Sequence, residues 1–444
     1  MPPSDLRTRL QRLRLQKLKR DITPPIPASP PPHTHTLRAT HPHTDLPGRE
    51  VVTSLGAYHL IENTYALNFI HGPARLADMV AGDSATAARL ARDEALAQAD
   101  LGSLAFLDVE TTGLAGGAGT LVFLVGVGVY EDERFVLRQY FMRDPAEERA
   151  MLANLVSDLA PRAGWVTFNG RAFDLPLLET RLTLNRQRGA LGQRPHLDLL
   201  TPARRLYRGR LASCSLGHIE QQVFNIVREQ DDVPGELIPQ MYLDYLRTGD
   251  PSDMRRVIYH NAVDILSMVT LAAHLLEVFA TPFEPGSRRR RRRVRGAAGE
   301  SEVRHLQSTI YNPQSEDLLR LARWHDDQGR PVEAEVAYRR ALRGHLSLDD
   351  RRLGLTRLAA LLKRQDRRAE SAPLWEQLAS FTLDDPEPFV ELAKYYEWHA
   401  PDTPKARAWA ERALAVVASS AKGWQRDEAT AELQHRLKRL KGKA

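Results

Sequence analysis

Cysteine is nearly absent from this chain: its 444 residues contain one, Cys214, set between Ser213 and Ser215. A single thiol excludes an intramolecular disulfide framework and a cysteine-built zinc cluster, and it suits a reducing cytoplasm. Uninterrupted apolar runs are also short. None approaches the ~20 residues a membrane span needs, and the N-terminal segment carries no apolar export core. The expectation is a soluble, cytoplasmic protein without a membrane partner. Charge of one sign is not in large excess either, with 62 Lys and Arg against 56 Asp and Glu. The basic surplus is gathered into short runs, a pattern that favours a polyanionic partner over uniform basicity.

What the chain does have is length, enough for two or three domains. Residues 1 to 50 join a basic, leucine-spaced arm (Leu6, Leu10 and Leu13 among Arg and Lys) to a stretch rich in Pro, Thr and His, and are expected to build no core. Residues 51 to 280 predict short strands and turns, a helix over 83–98, a strand over 104–109, a hairpin over 121–130 and 134–141, a helix over 147–159 and a strand over 165–168. Helices over 175–186, 199–207, 215–223, 236–247 and 253–279 follow. Three antiparallel strands and then alternating helix and strand predict an α/β layered sheet.

Residues 281 to 305 contain six consecutive arginines beginning Arg288, Arg289, Arg290. Like charges at that density resist folding and can grip phosphates, so the segment reads as a linker with a nucleic-acid role. Residues 306 to 444 predict helices alone. Leu321-Ala322, Leu358-Ala359 and Leu392-Ala393 open similar segments 37 and 34 residues apart, each followed by a second helix. This resembles tetratricopeptide repeats without their Trp-x-x-Leu-Gly-x-x-Tyr opening, and such a stack offers a groove for a protein partner.

The chemistry concentrates in Phe106-Leu107-Asp108-Val109-Glu110-Thr111-Thr112-Gly113. Side chains two apart on a strand project to one side, so Asp108 and Glu110 stand together there. Two such carboxylates stay ionised only if water reaches them or a cation lies between them, and hard oxygen donors without Cys or His suit Mg²⁺ or Mn²⁺. Two further acids have suggestive settings: Asp174 closes Asn169-Gly170-Arg171-Ala172-Phe173-Asp174 after a strand, and Asp264 lies in the helical Tyr259-His260-Asn261-Ala262-Val263-Asp264. Each alone reads as a helix cap or a solvated acid. The glycine-rich loop from Gly113 to Gly119 lacks the Lys-Ser/Thr of a phosphate-binding loop and reads as a turn.

Together these segments resemble the DEDD superfamily of 3′-to-5′ exonucleases, and more closely its YprB-like branch, over residues 51 to 279. Asp108 to Gly113 match the first motif, Asn169 to Asp174 the second and His260 to Asp264 the third. The resemblance implies a ribonuclease-H-like mixed sheet flanked by helices. It further implies hydrolysis of phosphodiesters with two Mg²⁺ or Mn²⁺ ions on Asp108, Glu110, Asp174 and Asp264, and His260 as general base. Thr111, Asn169, Arg171 and Phe173 would meet the nucleic-acid end. In the histidine branch four residues separate the base from the last Asp; here three separate His260 from Asp264 and four separate Tyr259 from it. His260 thus stands in the slot of the tyrosine branch, which leaves Tyr259 as the alternative base. The expected function is a single-strand exonuclease joined to helical repeats. The alternatives are a non-catalytic nucleic-acid-binding adaptor and a structure-specific endonuclease on the same fold.

Overall fold

The computed structural model describes residues 46–113, 119–187, 191–228, 232–280, 314–382, 384–419 and 424–442. The basic arm, most of the glycine-rich loop and the arginine run with Arg288, Arg289 and Arg290 lie outside the described residues.

Between 46 and 113, β1 (Arg49–Thr53) and β2 (Gly56–Ala66) form a hairpin, followed by a small ribbon of β3 (Ile70–His71) and β4 (Ala74–Arg75). The eleven-residue β2 is longer than the short strands expected there. Its exposed half, from Glu62, pairs with a strand far along the chain, so tertiary pairing fixes a length that local patterning does not show. Helices α1 (Leu76–Val80) and α2 (Ser84–Ala91) come next. The helix expected over 83–98 ends early because Arg92 turns into the left-handed region, and a separate 3₁₀ turn, capped by Asp93, follows.

Strands β5 (Leu104–Thr111), β6 (Val122–Glu131) and β7 (Arg134–Phe141) are antiparallel neighbours in order. After α3 (Glu148–Leu159) come β8 (Gly164–Thr167), α4 (Asp174–Leu184) and β9 (His196–Asp198). The sheet runs β1-β2-β7-β6-β5-β8-β9, with β8 and β9 added parallel to β5. β9 is three residues long, too short for its alternation to announce a strand.

The chain then forms α5 (Leu200–Tyr207), α6 (Leu216–Ile219), α7 (Ile238–Thr248) and α8 (Ser252–Ala280). The helix expected over 215–223 is in fact the single turn of α6 running into a wider π-helical turn from Glu220 to Phe224, closed by Asn225 in the left-handed conformation. Helix α8 also corrects the reading of apolar runs. Its most apolar stretch has the length and composition to cross a membrane, but most of that stretch is buried inside the protein.

The sheet has a core on each face. Ala105, Leu107 and Val109 point into one core with α3 and α4, while Leu104 and Phe106 point into the other with most of α8. Asp108 and Glu110 continue the Leu104 and Phe106 side, so the pair emerges where the helix crosses the end of the central strand. Helix and sheet meet closely there because β6 offers glycine at alternate positions. A Cβ on Gly126 would lie 2.3 Å from Asn261 Oδ1, and one on Gly128 would lie 2.7 Å from Ile265 Cγ2.

Among the described residues, seven helices follow: α9 (Ser315–Asp327), α10 (Pro331–Arg343), α11 (Leu348–Arg364), α12 (Arg368–Phe381), α13 (Glu387–Trp398), α14 (Thr403–Ser419) and α15 (Trp424–Lys441). The recurring Leu-Ala pairs sit inside α9, α11 and α13, where they are buried, rather than at their starts. Each alanine gives the partner helix room to approach. The first pair also joins the two regions. Leu321 and Trp324 belong to the sheet's second core, Trp324 rests on Phe279 with ring centres 4.7 Å apart, and Arg210 pairs with buried Asp317 at 2.8 Å.

Candidate active site

Three elements converge at the end of β5. The strand supplies Asp108 and Glu110, α4 begins on Asp174, and α8 supplies His260, Asn261 and Asp264. Asp174 is 6% exposed, in the first turn of its helix where the backbone N–H groups favour a carboxylate.

The loop that delivers Asp174 is fixed by a residue outside all three motifs. Asp198, at the end of β9, accepts the backbone N–H of Asn169 at 2.9 Å and of Arg171 at 3.0 Å. Asn169 takes a left-handed conformation, which asparagine tolerates better than most side chains. The Arg171 guanidinium donates to the His196 carbonyl at 3.0 Å, in a crease also lined by Asp93, Glu179 and Arg194. Phe173 packs partly buried against the core of α3 and α4. Thr111 is buried and its hydroxyl donates to the Gly113 carbonyl at 2.8 Å, clamping the turn after the strand.

Asp108 is oriented by a buried amide relay. Gln139 Nε2 donates to Asn261 Oδ1 at 2.9 Å and to the Ile258 carbonyl at 2.7 Å, and Asn261 Nδ2 donates to Asp108 Oδ2 at 2.8 Å. His260 has its Nδ1 2.7 Å from Asp232 Oδ1 and its Nε2 3.6 Å from Asp264 Oδ2. A carboxylate can only accept, so the shorter contact to Asp232 calls for a proton on Nδ1, the tautomer that leaves Nε2 a lone pair, against the pull of the Arg228 Nη1–H, a donor 3.1 Å from the same nitrogen.

Arg228 lies across the same group. It grips Glu220 through two bonds of 2.7 Å, bonds to Asp264 and lies 3.1 Å from His260 Nδ1. Arg228, Glu220, Asp232, Asp198, Gln139 and Asn261 were all missed by sequence reasoning as site residues. A usable signal existed for Asn261 alone: it neighbours His260 on the helix, opposite the Gly-x-Gly of β6.

The electrostatics record the crowding. Burial, and then the charges of Asp264, Glu110 and Asp174, push the Asp108 carboxyl well above the usual carboxylate range, against the Asn261 bond. Burial, and then Asp264 and Asp174, raise Glu110 in the same way. Asp174 is raised to about 7 by burial and by Asp198. Burial raises Asp264 too, opposed by Arg228 and His260. Asp108 and Glu110 both feel Asp264 and Asp174, and Arg228 offsets part of that crowding at Glu110 and Asp264.

That donor set suits hard divalent cations: buried carboxylates, without sulfur, whose repulsion such ions would relieve. As the side chains stand, however, no three Asp, Glu, His or Cys groups among the described residues are gathered as an ion would hold them. The acids are assembled but not closed into a chelate, and Asp264 is held by the Arg228 guanidinium.

A mixed sheet with an Asp-x-Glu central strand and a closing helix that carries the last acid defines a class, and residues 105–276 match the RNase H superfamily. Over 345 residues the chain is 32% identical to the uncharacterized protein YprB of Bacillus subtilis (strain 168), an overlap covering 77% of this chain and 75% of that one. The chain therefore belongs to the family of YprB, and its residues 105–276 form an RNase H superfamily domain. Its sheet domain is a nuclease-type fold, and the all-helical region that follows is consistent with helical repeats.

Proposed function

We propose that the protein is a metal-dependent 3′-to-5′ exonuclease acting on single-stranded DNA or RNA ends. The observation that carries this reading is the meeting of Asp108, Glu110, Asp174 and Asp264 from three separate elements, each carboxyl held above its ordinary range by burial. A protein that only bound nucleic acid would gain nothing from turning four carboxyls, offset by a single arginine, toward a polyanion. Two Mg²⁺ or Mn²⁺ ions on these acids would supply Lewis-acid activation of water and stabilisation of the leaving 3′ oxygen.

The remaining roles belong to the protein. His260 takes the proton of the attacking water on Nε2, since Asp232 occupies Nδ1. Asn261 holds Asp108 in one rotamer, and Asp198 fixes the loop that ends on Asp174. Thr111, Asn169 and Arg171 border the strand's path, with Phe173 supporting them from the core. The arginine run with Arg288, Arg289 and Arg290 supplies sequence-independent attraction to phosphates. The helical region orients the substrate or a protein partner, and the cytoplasm is the compartment that a lone cysteine suits.

The test is incubation with single strands labelled at the 5′ or the 3′ end, with and without Mn²⁺. The expected result is a Mn²⁺-dependent ladder from the 5′-labelled strand and immediate release of a labelled mononucleotide from the 3′-labelled one. Internal fragments from both labels would indicate an endonuclease instead, and metal-dependent binding without cleavage an adaptor.

A further inference from the structure

Glu220 opens the π-helical turn after α6 and is 1% exposed, a position where a lone carboxylate would be strongly disfavoured. Arg228 compensates it with the planar fork that only arginine offers: Nε to Oε2 and Nη2 to Oε1, both at 2.7 Å. That pair would be complete by itself. The same guanidinium nevertheless reaches further, with Nη2 on Asp264 Oδ1 and Nη1 3.1 Å from His260 Nδ1 and 3.5 Å from Asp232 Oδ2. One cation thus bridges a structural carboxylate, a carboxylate of the four-acid cluster and the Asp232–His260 pair. Its side chain is 12% exposed, so little solvent screens it.

We propose that Arg228 is the site's resident counter-cation, holding Asp264 in the metal-free protein and yielding it when a divalent ion binds there. The inference rests on the reading that the four acids hold metal. Arg228 and a dication cannot share one buried carboxylate at contact distance without strong repulsion, so loading the ion and detaching the guanidinium are one event. Glu220 keeps the released arginine tethered at the rim. The π-helical turn contributes by setting Glu220 and its arginine beside the third motif, and such turns recur where function requires an irregular helix. Arg228 thereby lowers the affinity for metal while keeping the empty cluster from flying apart.

The test reads Mn²⁺ binding directly, by calorimetry and by the paramagnetic resonance signal of free Mn²⁺, on the full chain. Arg228→Gln alone would strand Glu220, so the decisive variant is Arg228→Gln with Glu220→Gln, which removes one charge of each sign and leaves net charge unchanged. We expect it to bind Mn²⁺ about tenfold or more tightly than the parent, because competition for Asp264 is gone. Arg228→Lys, which keeps the charge without the fork, should fall between. Unchanged or weaker binding in the double variant would overturn the proposal, provided the parent's own binding is lost on Asp108→Asn and Asp264→Asn. If the parent binds no Mn²⁺, or binds it indifferently to those two substitutions, the metal reading itself fails, and this proposal with it.

Discussion

Asn261 of α8 donates to Asp108 of β5 across 2.8 Å, joining the last sequence motif of the nuclease fold to the first. The contact exists because residue 126, paired with Asp108 in the neighbouring strand, is glycine. In Gly126→Ala the new methyl group would stand 2.3 Å from Asn261 Oδ1 and push the amide off Asp108. The expected loss is about 1 to 3 kcal/mol in urea unfolding, the usual range for overpacking, together with reduced hydrolysis. Gly217→Ala, where the added carbon meets nothing within 4 Å, should show neither effect.

The raised carboxyls tie stability to pH. A carboxyl whose folded value lies above its unfolded one binds its proton more tightly when folded, so its contribution is present at low pH and is lost as pH rises through the folded value. For Asp174 the window runs from about 4 to about 7, and the loss is on the order of 4 kcal/mol at most. In chelator-treated protein, Asp174→Asn should therefore raise the melting temperature over the parent at pH 8 and do much less at pH 4. An equal gain at both values would mean that the buried charge is not the cause.

His260 and Tyr259 make opposite predictions. α8 is helical throughout, so a residue four before Asp264 lies about 40° around the axis from it and one five before lies about 140° away. His260→Ala should lower turnover by about 10² to 10⁴-fold, and Tyr259→Phe should retain most of it. Asp232→Asn should fall between them, since it unfixes the tautomer without removing the base. A silent His260→Ala with a crippled Tyr259→Phe would reassign the base.

Helix α9 closes the sheet's second core over Phe279. A fragment ending near Gly286 keeps every residue of the four-acid cluster but exposes that ring, whereas one ending at Arg343 keeps α9 and α10. The shorter fragment should melt lower and retain hydrolysis where it stays folded, and truncation of a buried aromatic, Trp324→Ala, should cost about 3 to 5 kcal/mol in the full chain. Equal melting of the two fragments would show that the seam contributes nothing.

Much of this arrangement is legible in the sequence because two periodicities carry it. Asp108 and Glu110 share a side through the period of two, and His260 and Asp264 share one through the helical repeat. The hairpin of β6 and β7 announces itself through two largely apolar runs flanking the charged turn Glu131-Asp132-Glu133. Arg228 and Glu220 do not, since what unites them is a π-helical turn and a loop, neither of which has a period. The seam was hidden for a different reason: the arginine-rich linker suggests separation, while Phe279 and Trp324 look like ordinary core residues of their own helices. Asp198 was invisible because its work is done on backbone N–H groups, which no side-chain pattern reveals.

The central claim is that the four acids hold the metal that cleaves phosphodiesters, and Asp108→Asn tests it most directly. The substitution removes a ligand and one repelling charge while leaving an oxygen that can still accept from Asn261. Hydrolysis of an end-labelled single strand in Mn²⁺ should vanish, with the circular dichroism spectrum unchanged and the metal-free melting temperature equal or higher. Near-parental Mn²⁺-dependent cleavage by the folded variant would contradict the account.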